Sequence, residues 1–246
     1  MKVIINADDL GISEIVNNSI FNLMSKGRLT SATLMANGPA ILPALNEIRH
    51  FPGQSFGIHL NLTEFKPLAS TPHLAPLLGG NGELSLNIEK IRVTPSLMCA
   101  IAEEFSRQIE FLLARGVVLS HIDSHRHVHT LPLVFPALKY VQRKFRIGCV
   151  RITRSMPRHA RRYTGLAWAK KAAYNFCLRH VVRTRTTDGF TDLHTFTDIA
   201  KRQSLPDGIY EIMVHPGADA HDDALLPTDW ESALPFPVRF INYHQL

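Results

Sequence analysis

The sequence predicts an α/β fold in which a parallel sheet curls into a (β/α) barrel. Three observations predict it. Short β-branched runs alternate with longer helical patterns from one end of the chain to the other. About seven such units follow one another, more than an open sheet of this size usually needs. The chain also has 246 residues, 45% of them hydrophobic, enough for one domain with a substantial core.

The expected strands are 3–9, 30–37, 55–62, 117–124, 149–153, 208–215 and 238–243, each short and rich in Val, Ile, Thr or aromatic residues. Between them, 14–26, 39–50, 95–115, 132–145 and roughly 158–182 read as helices. Ser13 can cap the first, and Pro39, Pro95 and Pro132 open the next three, where a missing N–H costs nothing. Segment 63–94 breaks the rhythm with repeated Pro, Gly and Asn, and is expected to overhang a site. No repeat or linker divides the chain, so 1–246 reads as a single domain.

Composition excludes disorder and a disulfide-stapled miniprotein. Cys99, Cys149 and Cys177 lie far apart with no CxxC pair, as expected of thiols in a reducing cytoplasm. No apolar run reaches a membrane span, and MKVIINADD turns acidic where a signal peptide would stay apolar. The expectation is a soluble, unprocessed cytoplasmic protein.

The net charge of +6 conceals a division: residues 125–187 hold fifteen Lys and Arg and no Asp or Glu, whereas the remainder holds twelve basic and twenty-one acidic residues. Within 143–185 the cations interleave with Leu166, Trp168, Tyr174 and Phe176, a pattern suited to an anionic membrane surface or a lipid-linked substrate. Nucleic acid is disfavoured because no binding signature accompanies the charge. Homo-oligomerisation is left open.

Chemistry collects at the C-terminal ends of the expected strands, the rim that carries active sites in β/α barrels. The first strand ends in NADDLGIS. Adjacent residues of an extended chain point to opposite sides, so one of Asp8 and Asp9 can bind a metal while the other serves as a base. The third ends in GIHLNLT and delivers His59. The fourth delivers HIDSHRHVH, a density of imidazole that packing does not explain. As a strand, this segment puts Asp123, His125, His127 and His129 on one face; as a helical turn it pairs His125 with His129. Such donors suit zinc, manganese, iron, cobalt or nickel. The strand YEIMVHPG brings His215, an imidazole fit for proton delivery. Arg151 and Arg154, in VRITRS, can anchor a carboxylate or stabilise a developing charge.

Taken in order, NADDLGIS, TSATLMANG, GIHLNLT, HIDSHRHVHTLP, VRITRS and YEIMVHPG resemble the YdjC-like carbohydrate deacetylase family, across residues 3–217. The resemblance implies a deformed (β/α) barrel of the glycoside hydrolase/deacetylase superfamily that removes acetyl groups from N-acetylated sugars with one divalent metal, magnesium or zinc. It further implies Asp9, His59 and His125 as metal ligands, Asp8 as base and His215 as acid. His127, His129 and Arg151 are expected to contact substrate or support the ligands. The basic stretch is denser than a soluble-oligosaccharide enzyme needs, which extends the substrate expectation to lipid-linked amino sugars at the inner face of the membrane. Two other classes compete: a metal-dependent phosphoesterase or nuclease, for which Asp and His clusters are equally natural, and a non-catalytic binding protein, against which the retained pair Asp8 and Asp9 argues.

Overall fold

The computed structural model describes residues 1–85, 91, 94–156, 165–202 and 205–246. Eight strands form one sheet: β1 (Lys2–Leu10), β2 (Ser31–Leu34), β3 (Ser55–Leu60), β4 (Leu119–Ser124), β5 (Cys149–Val150), β6 (Gly189–Asp192), β7 (Ile209–Val214) and β8 (Arg239–Phe240). Seven run in the order β5-β4-β3-β2-β1-β7-β6, all pairings parallel. The ends of this path approach one another where the Ser155 amide donates to the Phe190 carbonyl at 3.1 Å. The result is a deformed barrel, closed there by isolated contacts in place of a continuous ladder.

Helices α1 (Glu14–Ser25), α2 (Ile41–Glu47), α3 (Pro95–Leu113), α4 (Phe135–Phe145), α5 (Gly165–His180), α6 (Leu193–Arg202) and α7 (Ala220–Leu225) surround the sheet. Ser13 accepts the Val16 amide at the start of α1, and Thr94 accepts that of Leu97 at the start of α3. Helix α1 buries Val16, Ile20, Leu23 and Met24, one stripe at helical spacing.

β1 shows how the alternation of a strand divides two environments. Val3, Ile5 and Ala7 join the large apolar cluster shared with the helices. Ile4 points the other way, into a small cluster with Cys149, Ile241 and Tyr243, and Asn6 and Asp8 share its side. The barrel interior is thus largely polar, and the principal hydrophobic core lies between sheet and helices.

The structure departs from the sequence expectation in several places. β6 and α6, to which the sequence reading assigned no element, follow one another directly. β6 has little β-branched character and owes its conformation to pairing with β7, from Gly189 opposite Tyr210 to Asp192 opposite Met213. A side chain at Gly189 would bring a Cβ within 2.5 Å of the Tyr210 ring, so the pairing needs glycine there. The last expected strand shrinks to β8. It pairs with Lys2 and Val3 of β1 on the edge where β2 begins only at Asn6, and the chain then turns so that Tyr243 plugs the barrel. Of the fourth-strand histidines, His121 lies on β4, whereas His125, His127 and His129 are in neither strand nor regular helix, because a 3-10 segment, His125–Thr130, is broken by positive φ at Arg126 and His127. Helix α5 covers Gly165–His180 of the helix expected at roughly 158–182, and residues 158–164 of that expectation lie outside the described residues.

The described part of segment 63–94 is anchored; residues 86–90, 92 and 93 of it lie outside the described residues. Glu104 of α3, fully buried, accepts the amides of Leu68 and Ala69 at 3.1 and 2.7 Å, and the segment buries its own Leu74, Leu77 and Leu84.

Candidate active site at the barrel rim

β1 ends in a backbone irregularity that decides how its two carboxylates are used. Its register against β2 shifts between Ala7 and Leu10, and Asp9 has a φ of 66°. Asp9 therefore does not simply point away from Asp8, as an extended chain would require. Both carboxylates serve the rim, in different settings.

Asp9 Oδ1 lies 3.0 Å from His59 Nε2 and 2.7 Å from His125 Nδ1. His59, on β3, donates its other nitrogen to Asp123 Oδ1 at 2.7 Å, and Thr33 Oγ1 donates to Asp123 Oδ2 at 3.0 Å. A carboxylate behind an imidazole fixes its tautomer and raises its basicity, as it does for ligating histidines. Burial opposes the charged ring, but Asp123 and Asp9 together raise His59 well above the ordinary histidine range. Single donor atoms of Asp9, His59 and His125 all lie within 4.8 Å of one another. One carboxylate oxygen and two imidazole nitrogens on the rim side fit a divalent metal with open positions. Glu64, from the overhanging segment, approaches His125 Nε2 at 3.3 Å.

Asp8 is set differently. Burial raises its carboxyl, yet the Arg151 guanidinium overrides that and holds it well below the usual carboxylate range. Arg151 Nη1 and Nη2 donate to the two Asp8 oxygens at 2.7 and 2.6 Å, Nη2 lies 2.8 Å from Asp123 Oδ2, and Nε donates to Glu211 Oε1 at 2.7 Å. The Glu211 carboxylate also accepts from Tyr243 at 2.6 Å. Burial pushes Glu211 up to about 7, with Arg151 and the Tyr243 hydroxyl pulling the other way. Under this network His121 stacks on Tyr243, its ring occupying space that any side chain at Gly57 would need.

His215, just beyond β7, keeps Nε2 4.0 Å from Asp8 Oδ2, with its side chain 32% exposed. Its amide is held by Asp222 Oδ2 at 2.8 Å. A cleft of about 320 Å³ opens beside it, lined by Arg154, Asp192, His194 and His221. A larger cleft, about 650 Å³, lies between α3 and α4 among Met98, Ala102, Tyr140 and Lys144 and contains none of these groups.

Of the three residues expected to contact substrate or support the ligands, Arg151 and His129 lie in buried supporting positions and His127 is partly exposed. Arg151 is fully buried beneath the rim and faces three carboxylates. His129 is also fully buried, held between the Ser124 hydroxyl and the Arg151 carbonyl, and its own carbonyl accepts from Tyr174. His127 packs edge-on to Phe190, and burial with the nearby Arg151 charge pushes its imidazole down to about 3. Its Nδ1 is buried without a hydrogen-bond partner.

Sequence reasoning missed the supporting groups Thr33, Glu211 and Tyr243 and used Asp123 only as part of a cluster. Glu211 was findable: counting back in twos from His215 gives Met213 and Glu211 on the inward face. No comparable signal marks Tyr243.

Comparison with known proteins agrees with this architecture. A crystal structure of an Enterococcus faecalis V583 protein named for cellobiose-phosphate cleavage superposes with a TM-score of 0.72 and 23% identity, covering 99% of this chain and 98% of that one. A carbohydrate deacetylase of Geobacillus stearothermophilus is 38% identical over 144 residues, 58% of this chain and 57% of that protein. One from Vibrio campbellii is 34% identical over 148 residues, again 57% of its length. One from Halalkalibacterium halodurans is 28% identical over 218 residues, 88% of this chain and 85% of that protein. The model of the family described as YdjC-like protein matches residues 2–237, and with that match over nearly its whole length the chain belongs to the YdjC-like family.

Proposed function

We propose that residues 1–246 act as one catalytic domain, a metal-dependent hydrolase that removes an acetyl group from an N-acetylated amino sugar. The observation that carries the reading is the division of labour between Asp8 and Asp9: adjacent in sequence, one faces two imidazoles and the other a guanidinium, with His215 alongside. Relatives named carbohydrate deacetylase support the substrate class.

Hydrolysis of an amide requires an activated water, a polarised carbonyl and a protonated leaving nitrogen. Asp9, His59 and His125 would hold a divalent ion, which would supply a Lewis acid for the acetyl carbonyl and a more acidic water, so that a base as weak as Asp8 suffices. The two imidazoles weigh toward zinc over magnesium, which prefers oxygen donors. Asp8 stays ionised through the working pH range and, held by both oxygens, presents a fixed acceptor to the water proton. Arg151 is a positioning residue that sets the orientation of that acceptor. His215, partly exposed and fixed through its amide, protonates the departing nitrogen. The cleft beside it takes the sugar, whose hydroxyls meet the polar groups of Arg154, Asp192, His194 and His221.

Free thiols at Cys99, Cys149 and Cys177 support a reducing, cytoplasmic setting, and a lipid-linked sugar at the inner membrane face is the finer form of the proposal. The test is acetate release by metal-reconstituted protein from soluble and lipid-linked N-acetylated sugars, with Asp9→Ala as control. Release that vanishes in the variant supports the reading. Phosphate release from model diesters with no acetate release would replace it with phosphoesterase chemistry.

A further inference from the structure

Among the described residues, helix α5 is covered on one side only. Its inner face holds the rim loops: Tyr174 donates to the His129 carbonyl, Lys171 Nζ to the Arg154 carbonyl at 3.0 Å, and Thr153 Oγ1 to Asn175 at 3.0 Å, while Leu178 is fully buried. Its outer face presents Leu166, Ala169, Ala173, Phe176 and His180, at helical spacing and all exposed. Leu166 is 67% and Phe176 63% exposed.

The clustering is what sets this face apart. Nine large hydrophobic side chains are exposed among the described residues, and four fall on α5 and the residue that follows it: Leu166 and Phe176 on the outer stripe, Val181 just past the helix, and Trp168 at the inner edge, beside Thr153 and Asn175. Singly scattered exposed apolar residues need no explanation, but a contiguous set does. Exposed cations frame it: Lys170 and Arg179 flank the stripe, and Arg183 lies just past the helix. Across the cleft at Val182 the positive surface continues with Arg143 and Lys144 of α4. The sequence holds no acidic residue from 125 to 187; in space, Lys144 pairs with Glu110 at 3.0 Å and Asp188 borders the cleft beside Phe176 and Arg179, so Lys170, Arg143 and Arg183 carry the charge of this face. Among the described residues no helix is long and apolar enough to cross a membrane.

An apolar stripe bordered by cations, on a helix too polar to insert, has the chemistry of a helix that lies in the interface of an anionic bilayer. We infer that the outer face of α5 docks this protein on anionic lipid. Leu166 and Phe176 enter the acyl boundary, and Lys170, Arg179 and Arg183 meet the headgroups. Because the inner face of the same helix supports the loops bearing His129 and Arg154, docking places the rim beside the headgroup layer. If the deacetylase reading holds, that location favours an amino sugar carried on a lipid. Docking itself does not depend on that reading.

The experiment is co-sedimentation of the full chain with vesicles of phosphatidylcholine alone or mixed with phosphatidylglycerol, at low and high salt. Binding is expected only to the anionic vesicles and is lost at high salt. Lys170→Ala with Arg183→Ala weakens binding about 25-fold, roughly fivefold per cation. Phe176→Ser weakens it about tenfold or more. Leu113→Ser, an exposed apolar residue on α3, leaves it unchanged. The substituted side chains are exposed, so unaltered melting temperatures separate lost docking from lost folding. Equal binding to neutral vesicles, or none to either, overturns the inference. Self-association that Phe176→Ser abolishes, without vesicle binding, assigns the face to a second copy of the chain instead.

Discussion

Arg151→Met removes the one cation shared by Asp8, Asp123 and Glu211, three carboxylates no more than 2% exposed. The wild-type guanidinium makes four contacts of 2.6–2.8 Å with them, so the thioether leaves buried charge without compensation. Breaking a buried pair from one side costs about 3–5 kcal/mol. At roughly 2–4 °C per kcal/mol for a chain of this size, the melting temperature should fall by about 6–20 °C. The variant should also shift the acid limb of activity. Arg151 holds the Asp8 carboxyl below the ordinary value of about 3.9. Ionised Asp8 therefore contributes stability above that pH, and the contribution is lost as pH falls through the lower, folded value. Without Arg151, burial dominates, the carboxyl rises, and the acid limbs of both stability and kcat move to higher pH. Arg151→Lys retains the charge but not the fork, and should fall between the two. Calorimetry across pH with initial rates on the same samples provides the assay. A melting temperature and acid limb unchanged in Arg151→Met would refute the claim that this residue governs Asp8.

Other expectations follow from the rim and its supports. Asp8→Asn and His215→Ala should each lower turnover about 10² to 10⁴-fold with folding intact, measured by steady-state kinetics with bound metal verified. Zinc at about a hundredfold excess over its Kd should stabilise the wild type by about 2.7 kcal/mol in thermal melts, and Asp9→Ala should abolish the gain. Glu104→Ala strips the Leu68 and Ala69 amides of their acceptor, a loss of about 1–3 kcal/mol. Its kinetic signature should be a raised KM with kcat little altered, because the overhanging segment loosens while the rim does not.

The expected strands that became β1 to β4 and β7 were legible because β-branched runs and periodicity are local properties. β6 was not, since GFTD carries little propensity and becomes a strand only beside β7. α6 left a readable trace in Leu193, Phe196, Ile199 and Ala200, all buried and at helical spacing. At the site, motif density singled out Asp8, Asp9, His59 and His125. What local reading could not supply was long-range pairing: Arg151 is 143 residues from Asp8, and nothing near either names the other. The left-handed conformation of Asp9 was equally hidden, because an aspartate followed by Leu-Gly gives no sign of which residue bends. The basic stretch was visible as charge, but only the helix shows which of its residues face outward.

The plug formed by Tyr243 bears on the order in which the molecule matures. β1 is made before the strands it pairs with, yet the chain of contacts that orients its Asp8 runs through Arg151 and Glu211 to Tyr243, more than two hundred residues downstream. β1 likewise waits for β7 and β8, its partners from more than two hundred residues downstream. Such distant pairings close slowly. A nascent chain can therefore collapse around its helices well before its acidic rim is assembled, because the rim's support waits for Tyr243.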